Sequence, residues 1–84
     1  MARQVSGTIA ATGEGTSLAG KVVDVSISGT WVGTVDVQRA MGATWNTIES
    51  YTGNAEVVVE NATKVPVRVY FTRTSGSVDY LLQA

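Results

Sequence analysis

The sequence predicts an all-β protein, an antiparallel β-sandwich or flattened barrel of about seven short strands in a single domain spanning residues 1–84. Three observations lead there. Valine (14), threonine (11) and isoleucine (3) make up a third of the 84 residues, and these β-branched side chains lose rotamer freedom in a helix but suit a pleated surface. Strong helix formers are scarce, with three leucines, two methionines, four glutamates and two lysines. Nine glycines and one proline place turn signals at the short intervals of a many-stranded sandwich or barrel.

The elements follow in order. Residues 4–11 form the first strand, with residues 1–5 read as an extended arm. The glycine-rich stretch Thr12-Gly13-Glu14-Gly15-Thr16 is a turn. Residues 21–28 alternate, with Val23, Val25 and Ile27 on one face and Val22, Asp24 and Ser26 on the other. Gly29-Thr30 leads into residues 31–39, where Trp31, Val35 and Val37 share a face. A turn at 40–43 precedes the strand 45–51, and Thr52-Gly53-Asn54 precedes the strand 55–60. Residues 61–64 turn the chain into 65–73, and Ser75-Gly76 turns it into 77–83.

Two hairpin registers can be set out in advance. A two-residue turn at Ser75-Gly76 puts Phe71 opposite Tyr80, Val69 opposite Leu82 and Arg73 opposite Val78. The large apolar residues then share one face, as a half-buried hairpin requires. The other face holds Arg68, Tyr70 and Thr72 across from Gln83, Leu81 and Asp79. Tyr70 beside Leu81 is apolar surface on the wet side, either covered by another strand or loop or used as a subunit contact. In the middle hairpin the preferred register pairs Val37 with Trp45, Val35 with Thr47 and Trp31 with Tyr51, gathering the aromatics and leaving Ile48 outside; the alternative, shifted by one, pairs Val35 with Ile48 and sends Trp45 and Tyr51 to the other side.

Composition excludes more chemistry than it suggests. The chain has no cysteine and no histidine. Disulfides, thiolate chemistry, the commonest general base and the commonest metal ligand are therefore absent. Six basic and seven acidic residues leave a net charge of -1, which gives no reason to expect nucleic acid or an anionic membrane as partner. Arg68, Tyr70 and Arg73 are the one local basic and aromatic cluster, too small for a nucleic-acid groove. Lys21 and Lys64 fall where a sheet places solvated charges, and the acids are scattered along strands, so no nucleophile with an activating base is expected. Glu14 alone among the glycines of 12–16 is too few carboxylates for calcium. No helix follows those glycines to make a phosphate loop. No catalytic residue, cofactor or metal site is expected.

The first five residues lack the apolar core of a secretory signal, and Val57-Val58-Val59, the longest strongly aliphatic run, is far too short to span a membrane. Asn61-Ala62-Thr63 fits the glycosylation sequon but reads as a turn. Trp31, Trp45 or Tyr51, if exposed, would be platforms for a sugar. Core burial is the commoner use of tryptophan in a small β protein.

Residues Gln38-Arg39-Ala40-Met41-Gly42-Ala43-Thr44-Trp45 resemble a degenerate Asp-box, the Ser-x-Asp-x-Gly-x-Thr-Trp hairpin of sialidases and other β proteins. Gly42, Thr44 and Trp45 match, whereas Gln38 and Ala40 replace the Ser and Asp; in that motif the residues build a turn and have no catalytic part. The wider pattern is Ser28-Gly29-Thr30-Trp31-Val32-Gly33-Thr34-Val35-Asp36-Val37-Gln38-Arg39 with the following Gly-x-Thr-Trp. With the ending Val67-Arg68-Val69-Tyr70 and Thr74-Ser75-Gly76-Ser77-Val78-Asp79-Tyr80-Leu81-Leu82, it resembles small β-sandwich virion structural proteins of tailed bacteriophages over residues 26–82. The resemblance implies a non-enzymatic capsid decoration (cement) protein. Such a protein is made in the bacterial host cytoplasm, resides on the capsid exterior and bridges subunits of the major capsid protein as a small homo-oligomer such as a trimer. The alternative it implies is a receptor- or carbohydrate-binding β module of a tail or fibre. On either reading function rests on buried surface, and the expected contact residues are Arg68, Tyr70 and Leu81 on the terminal hairpin with Ala2, Arg3, Gln4 and Val5 as an anchoring arm.

Overall fold

The computed structural model describes residues 3–84. Five strands account for nearly all of them: β1 (Gln4–Ile9), β2 (Gly13–Glu14), β3 (Leu18–Met41), β4 (Thr44–Tyr51) and β5 (Ala55–Gln83). They form one sheet in the order β1-β5-β3-β4, with β2 also on β5. All pairing is antiparallel. Along β3 the partner on β5 falls as the chain advances, from Val22 opposite Glu60 to Ile27 opposite Ala55, and from Asp24 opposite Gln83 to Val32 opposite Ser75.

The seven expected short strands are thus five, because the two longest run straight through sites expected to be turns. Gly29-Thr30 lies within β3, and both 61–64 and Ser75-Gly76 lie within β5. Each long strand bends and folds the sheet into two layers within a body of 35 × 28 × 16 Å. The first layer contains β1, residues 75–83, residues 22–32 and residues 55–60, in that order across the sheet. The second contains β2, residues 65–73, residues 33–39 and β4.

The crossing at one end shows why. Val32 pairs with Ser75 and Gly33 with Arg73, so Thr74 is left out of the ladder as a bulge, which sharpens the bend. Gly33 (φ +144) and Gly76 (φ +76) sit there in conformations that side chains rarely adopt. A Cβ on Gly33 would lie 2.2 Å from the Thr72 carbonyl oxygen and one on Gly76 2.3 Å from that of Thr30. Gly76, read as a hairpin turn, and Gly33, within the expected strand 31–39, are instead what lets two paired strands turn a corner together.

The terminal hairpin therefore does not form as expected. Phe71 pairs with Val35 and Tyr80 with Ile27, in different layers. Alternation still assigns their faces correctly: Val69, Phe71, Val78, Tyr80 and Leu82 are all buried, joined by Val23, Val25, Ile27, Val35, Val37, Val59 and Val67. These side chains meet between the layers, as inner faces of packed sheets do. Trp31 closes the bend end of the core, its ring edge-on to Phe71 at 5.6 Å, while its Nε1 donates to Asn54 Oδ1 at 2.8 Å.

The middle hairpin also departs from the expected register. Val35 lies opposite Tyr51, Val37 opposite Glu49 and Ala40 opposite Trp45, with a bulge that skips Ile48. Gly42, first of the two turn residues, has φ +67 and among the described residues no non-glycine residue has positive φ, as a type II′ turn requires. The Ala40–Trp45 pairing set by this turn puts Trp45 on the outer face and Ile48 inward, the reverse of the preferred expectation, and the one-residue bulge then resets the alternation so that Tyr51 also packs against the core.

At the opposite end, where 18–22 and 60–65 bend, the sequon residue Asn61 acts as a clasp. Its Nδ2 donates to the Gly20 carbonyl at 3.1 Å, and its Oδ1 accepts from Arg39 Nη1 at 3.2 Å. Asn61→Ala strands both partners in a half-buried site and should cost about 1–3 kcal/mol in chemical denaturation. Asn61→Asp, which keeps the acceptor, should cost less.

Candidate functional site

The strand alternation that buries the valines pushes a defined set of residues outward on each layer. On the second layer these are Asp36, Gln38 and Ala40 of β3, Trp45, Thr47 and Ser50 of β4, and Arg68 and Tyr70 of β5. Arg68 lies over the Trp45 ring, its guanidinium carbon 4.2 Å from the ring centroid, within range of a cation–π attraction. Arg68 Nε donates to Gln38 Oε1 at 2.8 Å and Gln38 Nε2 to Thr47 Oγ1 at 3.2 Å, a chain of bonds across three strands. Ser50 Oγ donates to Asp36 Oδ1 at 2.6 Å. These bonds hold long side chains in one arrangement, which lowers the ordering cost of binding. Arginine, tryptophan and tyrosine are the residues that most often anchor protein interfaces.

The first layer presents a different outer face. Gln4, Ser6 and Thr8 of β1 lie beside Asp79, Leu81 and Gln83, then Val22, Asp24 and Ser26, then Glu56, Val58 and Glu60. A shallow trough of about 520 Å³ runs along it, lined by Asp24, Ser26, Glu56, Val58, Leu81 and Gln83 among others. A second hollow of about 540 Å³ lies over the glycine-rich stretch near Tyr80 and holds Glu14 as its one acid. There the Thr16 N–H donates to the Tyr80 hydroxyl at 2.8 Å.

The structure separates the residues that the sequence grouped. Arg68 and Tyr70 share the second layer's outer face, whereas Leu81 lies on the first layer's, so the three do not make one patch. The arm is a paired strand over its described part. Gln4 and Val5 lie opposite Gln83 and Leu82, the Arg3 N–H donates to the Ala84 carbonyl at 3.0 Å, and the Arg3 guanidinium donates to the Ala19 carbonyl. Val5 is half-buried against the core, Gln4 is exposed, and Ala2 lies outside the described residues.

Trp45, considered from the sequence only as a sugar platform, and Gln38, not singled out there as a contact, join Arg68 and Tyr70 on the second layer's outer face. The sequence signal for Trp45 was the pair Gly42-Ala43: taking it as a two-residue turn pairs Ala40 with Trp45 and turns the indole outward.

Among the described residues no three acids converge closely enough to hold a metal ion. Desolvation, and secondarily the charge of Glu49, raise the Tyr51 phenol above its ordinary value, so it stays protonated at neutral pH. Both tryptophans are half-exposed; Trp31 stands in a T-shaped contact with Phe71, and Arg68 overlies the Trp45 ring. No helix is long and apolar enough to cross a membrane among the described residues. Comparison with family models, with curated proteins and with solved structures gives no match.

Proposed function

We propose that this chain is a non-enzymatic structural protein of a tailed-bacteriophage virion, a decoration protein that binds the major capsid protein on the outside of the head and acts as a small homo-oligomer. The sequence resemblance motivates this reading. The observation that supports it most is the outer face of the second layer, where Trp45, Arg68 and Tyr70 are presented together and the first two are already locked in place. A small sandwich with such a face has the means to stabilise a junction by burying surface, with hot-spot residues supplying most of the affinity.

The test is cosedimentation with tail-less heads of the phage that encodes it. The wild-type protein should bind saturably. Trp45→Ala and Arg68→Ala should each weaken binding by about 30-fold, as loss of a hot-spot residue does, and each should cost about 1 kcal/mol or less in thermal stability. Copurification with tails alone would end the decoration reading, as would glycan binding by the isolated protein that disappears in Trp45→Ala.

A further inference from the structure

Residues 55–60 of β5 form an edge of the first layer. They pair with residues 22–27 on one side, and among the described residues no strand pairs with the other. An unpaired edge offers backbone donors and acceptors to an incoming strand. Proteins usually blunt such edges, and the neighbouring edges here follow that pattern. β4 carries the bulge at Ile48, and β1 presents only Gln4, Ser6 and Thr8 on its outward face. The edge at 55–60 instead displays apolar surface, with Val58 55% and Val22 52% exposed beside the trough that Leu81 helps to line.

The charges beside this edge select its occupant. Glu56 and Glu60 flank Val58 on the outward face, Asp24 lies on the adjacent strand and Asp79 on the strand beyond it; no lysine or arginine lies among the residues of that face named above. A second copy is disfavoured, because antiparallel pairing centred on Val58 sets Glu56 opposite Glu60 twice, and like charges directly opposite are destabilising.

We propose that this edge binds an extended segment of a different protein by strand addition. The segment has the pattern basic-x-apolar-x-basic, its two basic residues opposite Glu60 and Glu56 and its apolar residue opposite Val58. The inference goes beyond the virion reading and stands without it, since the edge recognises the segment and not the particle that bears it.

The probe is the peptide acetyl-Thr-Lys-Thr-Val-Thr-Lys-Thr-amide, titrated at low salt into the full chain and followed by amide chemical shifts and calorimetry. Shifts should concentrate at 55–60 and 22–27. Affinity should fall about tenfold in E56Q/E60Q, whose unchanged melting curve would show that the fold is intact. It should also fall when both lysines become glutamates, or when alternate peptide amides on the bonding edge are N-methylated. The proposal is overturned if the glutamate peptide binds equally well, if N-methylation has no effect (placing the peptide across the trough), or if the shifts map to Gln4–Ile9. It is overturned too if sedimentation shows a dimer that Val58→Lys abolishes, because the edge would then belong to a second copy. The head-binding variants Trp45→Ala and Arg68→Ala should bind this peptide normally, so failure of one reading is distinguishable from failure of the other.

Discussion

Gly33→Ala and Gly76→Ala are each expected to lower the stability of the protein by about 2–6 kcal/mol. Both positions combine a positive φ with a backbone oxygen 2.2–2.3 Å from where the new Cβ must go. The conformational strain costs about 1–3 kcal/mol, and displacing the partner strand adds about 1–3 kcal/mol of the kind seen on overpacking. A chain of this length has about 4–13 kcal/mol of stability in all, so either substitution removes a large share. Two further glycines calibrate the effect. Gly42 has φ +67 but nothing within 4 Å, so Gly42→Ala should cost only about 1–2 kcal/mol of left-handed strain. Gly53 has open space and no positive φ, and Gly53→Ala should fall within about 0.5 kcal/mol of wild type. Urea denaturation of the four variants checks the ordering. If Gly33→Ala proves as mild as Gly42→Ala, the bend is not the crowded crossing described.

The second large effect is expected at Phe71→Ala. Phe71 has no solvent exposure and is the largest of the fully buried side chains. It sits beside the bend, where Trp31 meets its ring at 5.6 Å. Truncation should cost about 3–5 kcal/mol in transfer and cavity terms, including about 0.5–1.5 kcal/mol from the lost edge-to-face contact. Near-ultraviolet circular dichroism should then show Trp31 losing its fixed environment in whatever folded fraction remains. Phe71→Leu should recover part of the stability, since the larger aliphatic side chain leaves a smaller cavity than alanine. A Phe71→Ala protein with wild-type stability would mean that the two layers do not close on this ring.

Legibility differed from residue to residue for physical reasons. The face of each strand was readable, because side-chain direction repeats every two residues and Val23, Val25, Ile27, Val35, Val37, Val67 and Val69 obey that repeat without help from the rest of the fold. Pairing was not. Ser75-Gly76 satisfies the local chemistry of a hairpin turn, yet the same glycine serves a bend equally well, and only the partner strand at Thr30 and Trp31 decides which is built. The outer face of the second layer was half legible. Arg68 and Tyr70 follow from alternation, whereas Trp45 depends on the register set by the Gly42-Ala43 turn, which places Trp45 outward and Ile48 inward. The acidic edge at 55–60 was invisible, because being an edge is a property of strand order.

Composition and alternation by themselves determined that this chain is all β, that it lacks the side chains of the commonest catalytic and metal chemistry, and which residues turn inward, since those properties are local and repeat along the backbone. Tertiary structure alone decided that two long strands would each serve both layers, that Leu81 would be parted from Tyr70, and that Trp45 would stand outside under Arg68. Those outcomes depend on which distant segments hydrogen-bond together. That choice is made by the packing of the two layers against each other, over separations that no local pattern encodes.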